Sequence, residues 1–433
     1  MSSVSLSAFY QKEYAMREAT VKSISNPQNV VNDVLTEVLR DGAREMLARA
    51  VELEVAEYIE KYKDVTDASG HRMVVRNGHH PERKIQTGLG PIDVKAPKVN
   101  DKRTDEQGIR KRFTSQILPP YLRKTKSLEE LVPWLYLKGI STGDFPEALQ
   151  ALLGKEAQGF SASTVTRLKS VWGEEFKEWE KQSLKDKRYV YMWADGVHFN
   201  VRLGEDDRLC ILVIIGATED GKKELVAVEQ GYRESEMSWK NVLLSLRGRG
   251  LEQGPELAIG DGALGFWKAM EEIFPSAKQQ ACWVHKTANI LDKLPKSKQP
   301  EAKEMIREIY MAETKIGAEK ALNKFQSVFE DKYPKAVKSL LRGEHRLLSF
   351  YDFPGVHWQH IRTTNPIESA FATVRLRTKR TKGCGSANAT VHMVFKLMQS
   401  AEKRWRKLRG YRLLDDVIDL NIKFEDGIKK QAA

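Results

Sequence analysis

The stretch that decides the fold is Tyr-Val-Tyr-Met-Trp-Ala-Asp-Gly at residues 189–196. Six β-favouring residues lead to Asp195 and Gly196, a pair that is typical of turns. The chain then alternates over 198–203, carries a long apolar run at 208–218 and returns through another β-favouring run at 224–230. Consecutive strands joined by tight turns predict an antiparallel meander.

A second aspartate repeats this arrangement further along the chain. Residues 256–260, Glu-Leu-Ala-Ile-Gly, predict a short strand that ends directly before Asp261, and helical patterns flank it at 238–246 and 266–273. A carboxylate that follows a buried strand is costly unless something pairs with it. Two such strands lying side by side would place Asp195 and Asp261 at one edge of the sheet. Taken singly, each aspartate is also explained as an ordinary turn former.

A third acid stands in a basic stretch, Arg-Thr-Thr-Asn-Pro-Ile-Glu-Ser-Ala-Phe-Ala-Thr-Val-Arg-Leu-Arg-Thr-Lys-Arg at 362–380. Asn365 as the cap and Pro366 in the first turn predict a helix that carries Glu368. Alone, this pattern is also typical of a helix whose charges are all solvated. Three acids that meet at one point repel one another, and a divalent ion such as Mg²⁺ relieves that repulsion. Such a site suits phosphoryl chemistry on nucleic acid.

Composition favours a polyanionic partner. The 433 residues carry a formal charge of +12, and between Arg362 and Arg409 twelve lysines and arginines face only two acids. Basic charge concentrated in this way suits a phosphate backbone. Three scattered cysteines without a Cys-x-x-Cys pair predict a reducing compartment. Because no apolar run approaches about eighteen residues, we expect a cytoplasmic protein without a membrane role.

The first third of the chain predicts helices on either side of a small β-rich element. Apolar residues recur at helical spacing over 30–62, which indicates one or two helices in a core or an oligomer interface. Asn77-Gly78 is a hairpin signal, and short strands are expected over 84–97, joined at Gly88 and Gly90. We expect this basic element to contact the DNA backbone; a metal knuckle built from His71, His79 and His80 is the alternative.

Residues 126–170 have the pattern of a helix-turn-helix. A helix over 128–138, a glycine-containing turn at 139–144, a second helix and a third, Ser-capped helix with Arg167 and Lys169 follow one another. An ordinary helical bundle explains the same pattern. The charged stretch 173–187 predicts a helix that works as a connector.

Four blocks in fixed order carry a family resemblance: Trp-Ala-Asp-Gly at 193–196, Ile-Gly-Asp-Gly at 259–262, Cys-Trp-Val-His at 282–285 and Thr-Asn-Pro-Ile-Glu-Ser at 364–369. They resemble the signature blocks of the Mutator-type transposases of bacterial insertion sequences, and the similarity covers most of the chain to about 409. The resemblance implies a DDE catalytic domain of the ribonuclease-H-like fold.

By this resemblance Asp195, Asp261 and Glu368 are the catalytic triad and hold two Mg²⁺ ions, with Mn²⁺ able to substitute. The partners implied are the terminal inverted repeats of the element and target DNA, bound by a homodimer associated with the nucleoid. Asp261 and Glu368 are 107 residues apart, and the resemblance implies a helical insertion between them, in agreement with helical patterns over 286–348.

The remaining candidate residues lie around this triad. Cys282 and His285 form a motif beside the active site, in which His285 would orient a catalytic carboxylate; half of a zinc site is the alternative. Three tryptophans would either stack on an unpaired base or pack in the core: Trp267, Trp283 and Trp358. Basic residues expected to hold phosphates are Arg375, Arg377, Lys379, Arg380 and Lys382, while Arg167 and Lys169 would read DNA. A last basic helix is expected over 391–408.

The predicted fold class is α/β: a ribonuclease-H-like mixed-sheet catalytic domain with a helical insertion, preceded by helical DNA-binding domains. The predicted boundaries are 1–63 for an N-terminal helical region for dimerisation or DNA binding, 64–125 for the β-rich basic element, 126–187 for the helix-turn-helix-like region with its connector, 188–285 and 351–412 for the two parts of the catalytic domain, 286–350 for the insertion and 413–433 for a tail. Two other classes compete: a non-catalytic DNA-binding protein derived from a transposase, and a recombinase that links covalently to DNA through Ser or Tyr.

Overall fold

The structure is a computed structural model that describes residues 34–137, 140, 162–200, 208–231, 234–262, 264–380 and 386–431. Within the described residues the chain divides into two compact units, with the division between Leu168 and Lys169. Helices and strands are numbered below in chain order.

The N-terminal unit is built from one long helix and four short strands. Its elements are α1 (Val34–Lys61), β1 (Val74–His79), β2 (Arg83–Thr87), β3 (Gly90–Val94) and β4 (Pro97–Asp101). Strand β2 pairs antiparallel with β3, and β1 pairs antiparallel with β4. Helix α1 packs on the β2–β3 hairpin through Val51, beside Ile85 and Ile92. The strands predicted over 84–97 are confirmed.

The hairpin predicted at Asn77-Gly78 is wrong. Both residues lie inside β1, where the register with β4 shifts between Arg76 and His79 and Gly78 has a φ of +66°. This is a bulge, in which glycine supplies the left-handed conformation that the prediction assigned to a turn. The local signal was correct about the backbone conformation of Gly78 but not about the strand pairing.

Helices α2 (Lys126–Leu137) and α3 (Ala162–Glu180) frame the region with the helix-turn-helix pattern. The first helix predicted there is confirmed, whereas the predicted turn and second helix lie outside the described residues. Helix α3 runs through Gly173 and ends at Glu180, so residues 173–180 are helical as predicted but continue the preceding helix, and the predicted helix does not extend to 187. Gly173 packs closely under the ring of His392, which explains why glycine is used in this helix.

The C-terminal unit is centred on a five-stranded mixed sheet. Its strands are β5 (Tyr189–Asn200), β6 (Arg208–Thr218), β7 (Lys223–Gly231), β8 (Leu257–Gly260) and β9 (Lys278–Ala281), in the order β7-β6-β5-β8-β9. The first three form the predicted antiparallel meander, and β8 and β9 add to β5 in parallel. The mixed α/β architecture of the prediction is therefore present.

One strand differs from its prediction in a way that matters for the site. Asp195 and Gly196 do not form a turn: β5 runs straight through them to Asn200, and Asp195 pairs with Val213 of β6. The hydrogen-bonded pairing of β5 with the long apolar strand β6 continues past Asp195 and Gly196. Pairing with β6 therefore outweighs the local preference of these two residues for a turn. Asp195 is therefore in the interior of a strand.

Helices cover both faces of this sheet. They are α4 (Glu236–Gly248), α5 (Leu264–Ile273), α6 (Trp283–Leu291), α7 (Gln299–Met311), α8 (Lys315–Phe329), α9 (Pro334–Leu341), α10 (Trp358–Ile361), α11 (Asn365–Arg380), α12 (Ala387–Glu402) and α13 (Leu414–Ile418), followed by the hairpin β10 (Ile422–Glu425) and β11 (Ile428–Gln431). Helix α11 contacts β5 and β6, and α4 contacts β7 and α5. The helices predicted between residues 286 and 348 are confirmed.

The last basic helix ends earlier than predicted. Helix α12 stops at Glu402, whose carboxylate accepts a hydrogen bond from Leu225 N at 2.9 Å. The basic residues from Arg404 to Arg409 therefore follow the helix instead of lying on it. Among the described helices, none has the length and apolar character needed to cross a lipid bilayer.

Candidate active site

The two aspartates lie next to each other because of the parallel pairing of β5 and β8. Ala194 pairs with Gly260, so the residues that follow them, Asp195 and Asp261, occupy neighbouring positions where β8 ends. Asp195 is only 6% exposed. The expectation that two strands bring these carboxylates to one place is met, although only β8 ends there.

The electrostatics of Asp195 show which other charges are close. Burial raises the pKa of Asp195 to about 7, with the positive charge of His285 opposing and the negative charges of Asp261, Glu234 and Glu368 adding to the rise. A buried carboxyl beside several like charges is the situation in which a divalent cation is most stabilising. The structure thus brings together the three acids singled out in the sequence and adds a fourth, Glu234.

The side chain of Thr364 is hydrogen-bonded to the carboxylate of Glu368. The Thr364 hydroxyl lies 2.8 Å from Glu368 Oε1 and 3.2 Å from Cys282 Sγ, and its carbonyl accepts from Glu368 N at 3.0 Å. Thr364 therefore caps α11, one residue before the predicted cap Asn365. Because Thr364 is fully buried, this network fixes the first turn of the helix and the carboxylate on it.

Cys282 and His285 lie on the other side of Thr364, at the start of α6. Cys282 N donates to Gly260 O at 2.7 Å, which ties this motif to the end of β8. His285 Nδ1 lies 3.9 Å from Glu368 Oε1 and 3.4 Å from Thr364 Oγ1. Burial lowers the pKa of His285, but Cys282, Asp195 and Glu368 together raise it to about 10. These neighbours therefore favour the protonated form of His285.

The donor atoms present fit a metal ion. Carboxylate oxygens from three separate elements are the ligands that Mg²⁺ and Mn²⁺ prefer. Cys282, His285 and Glu368 also have ligand atoms within 4.8 Å of one another, but Cys282 Sγ already accepts from the amide of Thr364 at 3.3 Å and lies 3.2 Å from the Thr364 hydroxyl. The oxygen donors around Asp195 are the better match for a hard divalent ion.

The basic residues beyond Glu368 have different surroundings. Arg375 is exposed and its guanidinium lies 5.9 Å from the centre of the Phe371 ring. Arg377 is only 2% exposed, so the expectation that it holds a phosphate does not fit this structure. Helix α11 includes Lys379 and Arg380 and α3 includes Arg167 and Lys169, but only their backbone is described. Lys382 lies outside the described residues.

Two of the three tryptophans with an expected base-stacking role pack in the core. Trp267 and Trp283 are each 1% exposed, and Trp283 Nε1 donates to Leu347 O at 2.9 Å. Trp358 is half-buried and packs edge-on against Phe350 and Tyr351. These contacts leave no open ring face on Trp267 or Trp283 for a nucleobase.

Sequence reasoning missed Glu234 and Thr364. Glu234 stands just before Ser235, which caps α4, and a carboxylate at a helix start is usually explained by the helix dipole. Thr364 belongs to the quoted Thr-Asn-Pro-Ile-Glu block, so its spacing of four residues from Glu368 was a usable signal.

The fold and the site define a mixed α/β protein with a cluster of carboxylates, of which Asp195 is buried, beside the central strand of its sheet. Comparison with known proteins gives this architecture a family. Residues 14–408 match the family model described as Transposase, Mutator family, and the chain belongs to that family.

Similar proteins carry insertion-sequence names. The chain is 50% identical over 287 residues to the transposase for insertion sequence element IS6120 of Mycolicibacterium smegmatis, covering 66% of this chain and 88% of the relative. It is also 50% identical over 291 residues to the transposase for element IST2 of Acidithiobacillus ferrooxidans, covering 65% and 95%. The transposase for element ISRM5 of Rhizobium meliloti is 27% identical over 402 residues, covering 92% and 94%.

Proposed function

We propose that this protein is the transposase of a bacterial insertion sequence. It binds the terminal inverted repeats of its element, cleaves DNA at the ends and joins the freed 3′ hydroxyls to target DNA. Membership of the Mutator family and the names of the relatives support this function. The observation that carries this proposal is that the negative charges of Asp261 and Glu368 lie close enough to buried Asp195 to raise its pKa.

In this proposal Asp195, Asp261 and Glu368 hold two Mg²⁺ ions, for which Mn²⁺ substitutes. When bound, the metal supplies Lewis-acid stabilisation for in-line attack of water or a 3′ hydroxyl on a phosphodiester. The chain's own contribution is positional. Thr364 orients the Glu368 carboxylate by a 2.8 Å hydrogen bond, and the positive charge of His285 offsets part of the repulsion among the acids.

DNA binding in this proposal uses the basic residues outside the carboxylate cluster. Arg375 is exposed on α11 and can reach a phosphate. Lys379, Arg380 and Lys382 continue the same basic run, and the region of α2 and α3, with Arg167 and Lys169, reads the inverted repeats. Buried Arg377 is excluded from this set.

We also propose that the C-terminal unit is ribonuclease-H-like, with 188–285 and 351–412 as its two parts and 286–350 inserted between them. The five-stranded mixed sheet, with helices between β9 and α11, supports this assignment. The segments 1–63, 64–125 and 126–187 would serve dimerisation and DNA binding, and 413–433 would be a tail. The protein would act on the DNA of the nucleoid in the cytoplasm.

A homodimer is part of the proposal because two element ends must be brought together. Helix α1 supports it with a seven-residue repeat of exposed apolar side chains: Leu39 is 48% exposed, Met46 69% and Leu53 57%. This stripe lies apart from Val51, through which α1 packs on its own hairpin. A stripe with heptad spacing suits a second copy of the same helix.

The test is cleavage of a labelled element end with Mg²⁺ or with EDTA. We expect Mg²⁺-dependent strand cleavage by the wild-type protein and none by Asp195→Asn, while end binding is largely retained. Asp220→Asn is a matched control, because Asp220 is also followed by glycine but lies at the exposed turn between β6 and β7. Unchanged cleavage by Asp195→Asn would remove this aspartate from the site.

The same reactions separate the competing classes. A non-catalytic DNA-binding protein would bind the labelled end and leave it intact with Mg²⁺. A recombinase that uses Ser or Tyr would cleave in EDTA and leave a protein–DNA adduct on a denaturing gel. The carboxylates clustered around buried Asp195 favour the metal-dependent enzyme over both.

A further inference from the structure

Three side chains with metal-binding atoms meet at one end of the central sheet. His198 of β5 and Cys210 of β6 are direct partners in the antiparallel ladder, and Cys210 is also the partner of Gly231, the last residue of β7. Side chains that stand directly opposite each other in such a ladder share one face of the sheet. Glu234 follows shortly after β7, directly before the cap of α4. Neighbouring strands thus bring an imidazole, a thiol and a carboxylate together.

The spacing of these three groups is close to that of a metal site. One ligand atom from each of His198, Cys210 and Glu234 lies within 4.8 Å of the others, and His198 Nε2 is 3.5 Å from Glu234 Oε1. Around a tetrahedral zinc ion, whose bonds are about 2.0–2.3 Å long, ligand atoms are roughly 3.3–3.8 Å apart. The imidazole and the carboxylate already have this separation, and the thiol needs to move by no more than about 1.5 Å to join them.

Gly196 allows the carboxylate of Glu234 to lie on this face of the sheet. Because Gly196 is two residues before His198 in β5, the two residues face the same side. A Cβ atom at position 196 would lie 2.6 Å from Glu234 Oε1 and 2.7 Å from Glu234 Cγ, closer than such atoms approach. The glutamate side chain therefore lies against the bare backbone of β5, beside the imidazole of His198.

The cluster is separate from the acids of the candidate active site. Asp195 precedes Gly196 in β5, so its side chain faces the opposite side of the sheet. The charge of Glu234 contributes to the electrostatic surroundings of Asp195, but its ligand atoms are grouped with a thiol and an imidazole. The donor atoms also differ in chemistry. Mg²⁺ prefers oxygen, whereas sulfur and nitrogen donors select a softer ion such as Zn²⁺.

The exposure of the three groups gives an ion a route to the thiol. Cys210 is 2% exposed, while the side chains of Glu234 and His198 are 19% and 51% exposed. The thiol is therefore the inner group of the cluster and the imidazole is its solvent side. Without an ion, Cys210 would be an ordinary buried apolar residue beside a partly exposed pair of His and Glu.

We propose that His198, Cys210 and Glu234 bind a Zn²⁺ ion on the face of the sheet opposite to Asp195. Three protein ligands leave one tetrahedral position for water. On binding, the Cys210 thiol loses its proton to solvent, and a sulfur–metal bond replaces the S–H bond. The ion would join the segment that leads into α4 to strands β5 and β6. This inference stands apart from the proposed function, since no step of DNA cleavage passes through the ion.

The probe is Co²⁺, which can take the place of Zn²⁺ and reports on its ligands by absorption. Titrated into the metal-free full chain, Co²⁺ should produce the near-ultraviolet charge-transfer band of a cobalt–thiolate bond, and excess Zn²⁺ should remove this band. Cys210→Ala should abolish it. The chain has two other cysteines, so Cys282→Ser and Cys384→Ser are matched controls that should keep the band. Co²⁺ held only by carboxylate oxygens produces no such band.

The other two ligands are tested by affinity. His198→Asn and Glu234→Gln should each weaken Co²⁺ binding by at least about tenfold, a loss that even residues outside the ligand shell can cause. Glu236→Gln is the matched control, because Glu236 is exposed and pairs with Lys268 at 3.2 Å. Zn²⁺ should raise the melting temperature of the wild-type protein but not that of Cys210→Ala. Melting temperatures of the metal-free variants establish that each is folded.

The outcomes separate this inference from the proposed function. A cobalt–thiolate band that survives Cys210→Ala places the thiolate elsewhere and overturns the inference. Mg²⁺-dependent cleavage by a wild-type protein that shows no such band refutes the zinc site and leaves the proposed function standing. A band that is lost in Cys210→Ala, in a protein that cleaves no element ends with Mg²⁺, supports the zinc site and refutes the proposed function.

Discussion

Thr364 offers the sharpest test of how the site is held together. Its hydroxyl donates to Glu368 Oε1 at 2.8 Å and lies between Cys282 and His285. Replacing Thr364 with valine keeps the shape of this fully buried side chain but removes the donor. A hydrogen bond to a charged group contributes about 1.5–3 kcal/mol. If Glu368 acts only in this orientation, that energy corresponds to a roughly 10- to 100-fold slower cleavage step.

The assay is single-turnover cleavage of a labelled element end at saturating protein and Mg²⁺, with end binding measured in parallel. Thr364→Val should slow cleavage with unchanged end binding. Thr364→Ser, which keeps the hydroxyl donor, should retain most of the wild-type cleavage rate. Thermal unfolding checks that both variants are folded. Cleavage by Thr364→Val at the wild-type rate would refute the argument that this hydrogen bond positions Glu368.

Three further predictions concern DNA binding, assembly and stability. Arg375→Ala should weaken end binding and reduce the slope of log affinity against log salt concentration by about one. Arg377→Ala should instead lower the melting temperature, because Arg377 is buried. Met46→Glu should convert a dimer to a monomer in light scattering, by placing charge in the exposed stripe of α1. Asp101→Asn should destabilise the N-terminal unit by about 3 kcal/mol in denaturant unfolding, because Asp101 is buried and pairs with Arg103 at 2.7 Å. Hydrogen bonds from Arg103 lower the pKa of Asp101 to about 2, so its stabilisation is present above about pH 4 and is lost as the pH falls toward 2.

Local patterns in the sequence predicted much of the fold. The apolar run at 208–218 became β6, the meander formed as expected, and the helices between 286 and 348 are present. These elements could be predicted because the spacing of apolar residues along the chain indicates whether a segment forms a helix or a strand. The neighbouring positions of β5 and β8 were expected from the two aspartates, because each was predicted to follow a buried strand; their parallel pairing is seen in the structure.

The errors arose where distant contacts override local preference. Asp195-Gly196 has the composition of a turn, but β6 holds it in a strand. The side chain of Glu234, which is remote in the chain, lies over Gly196, and no local pattern contains that information. Arg377 belongs to a basic run in sequence but is buried, because the periodicity of α11 turns it inward.

The central claim is that three acids distant in the chain share metal ions beside one strand. The most direct measurement is a crystal structure grown with Mn²⁺, in which anomalous scattering locates the ions. Two anomalous peaks, each roughly 2.1 Å from oxygens of Asp195, Asp261 or Glu368, are the expected result. No peak there, or a Glu368 carboxylate more than about 10 Å from both aspartates and so beyond any shared-ion arrangement, would contradict it.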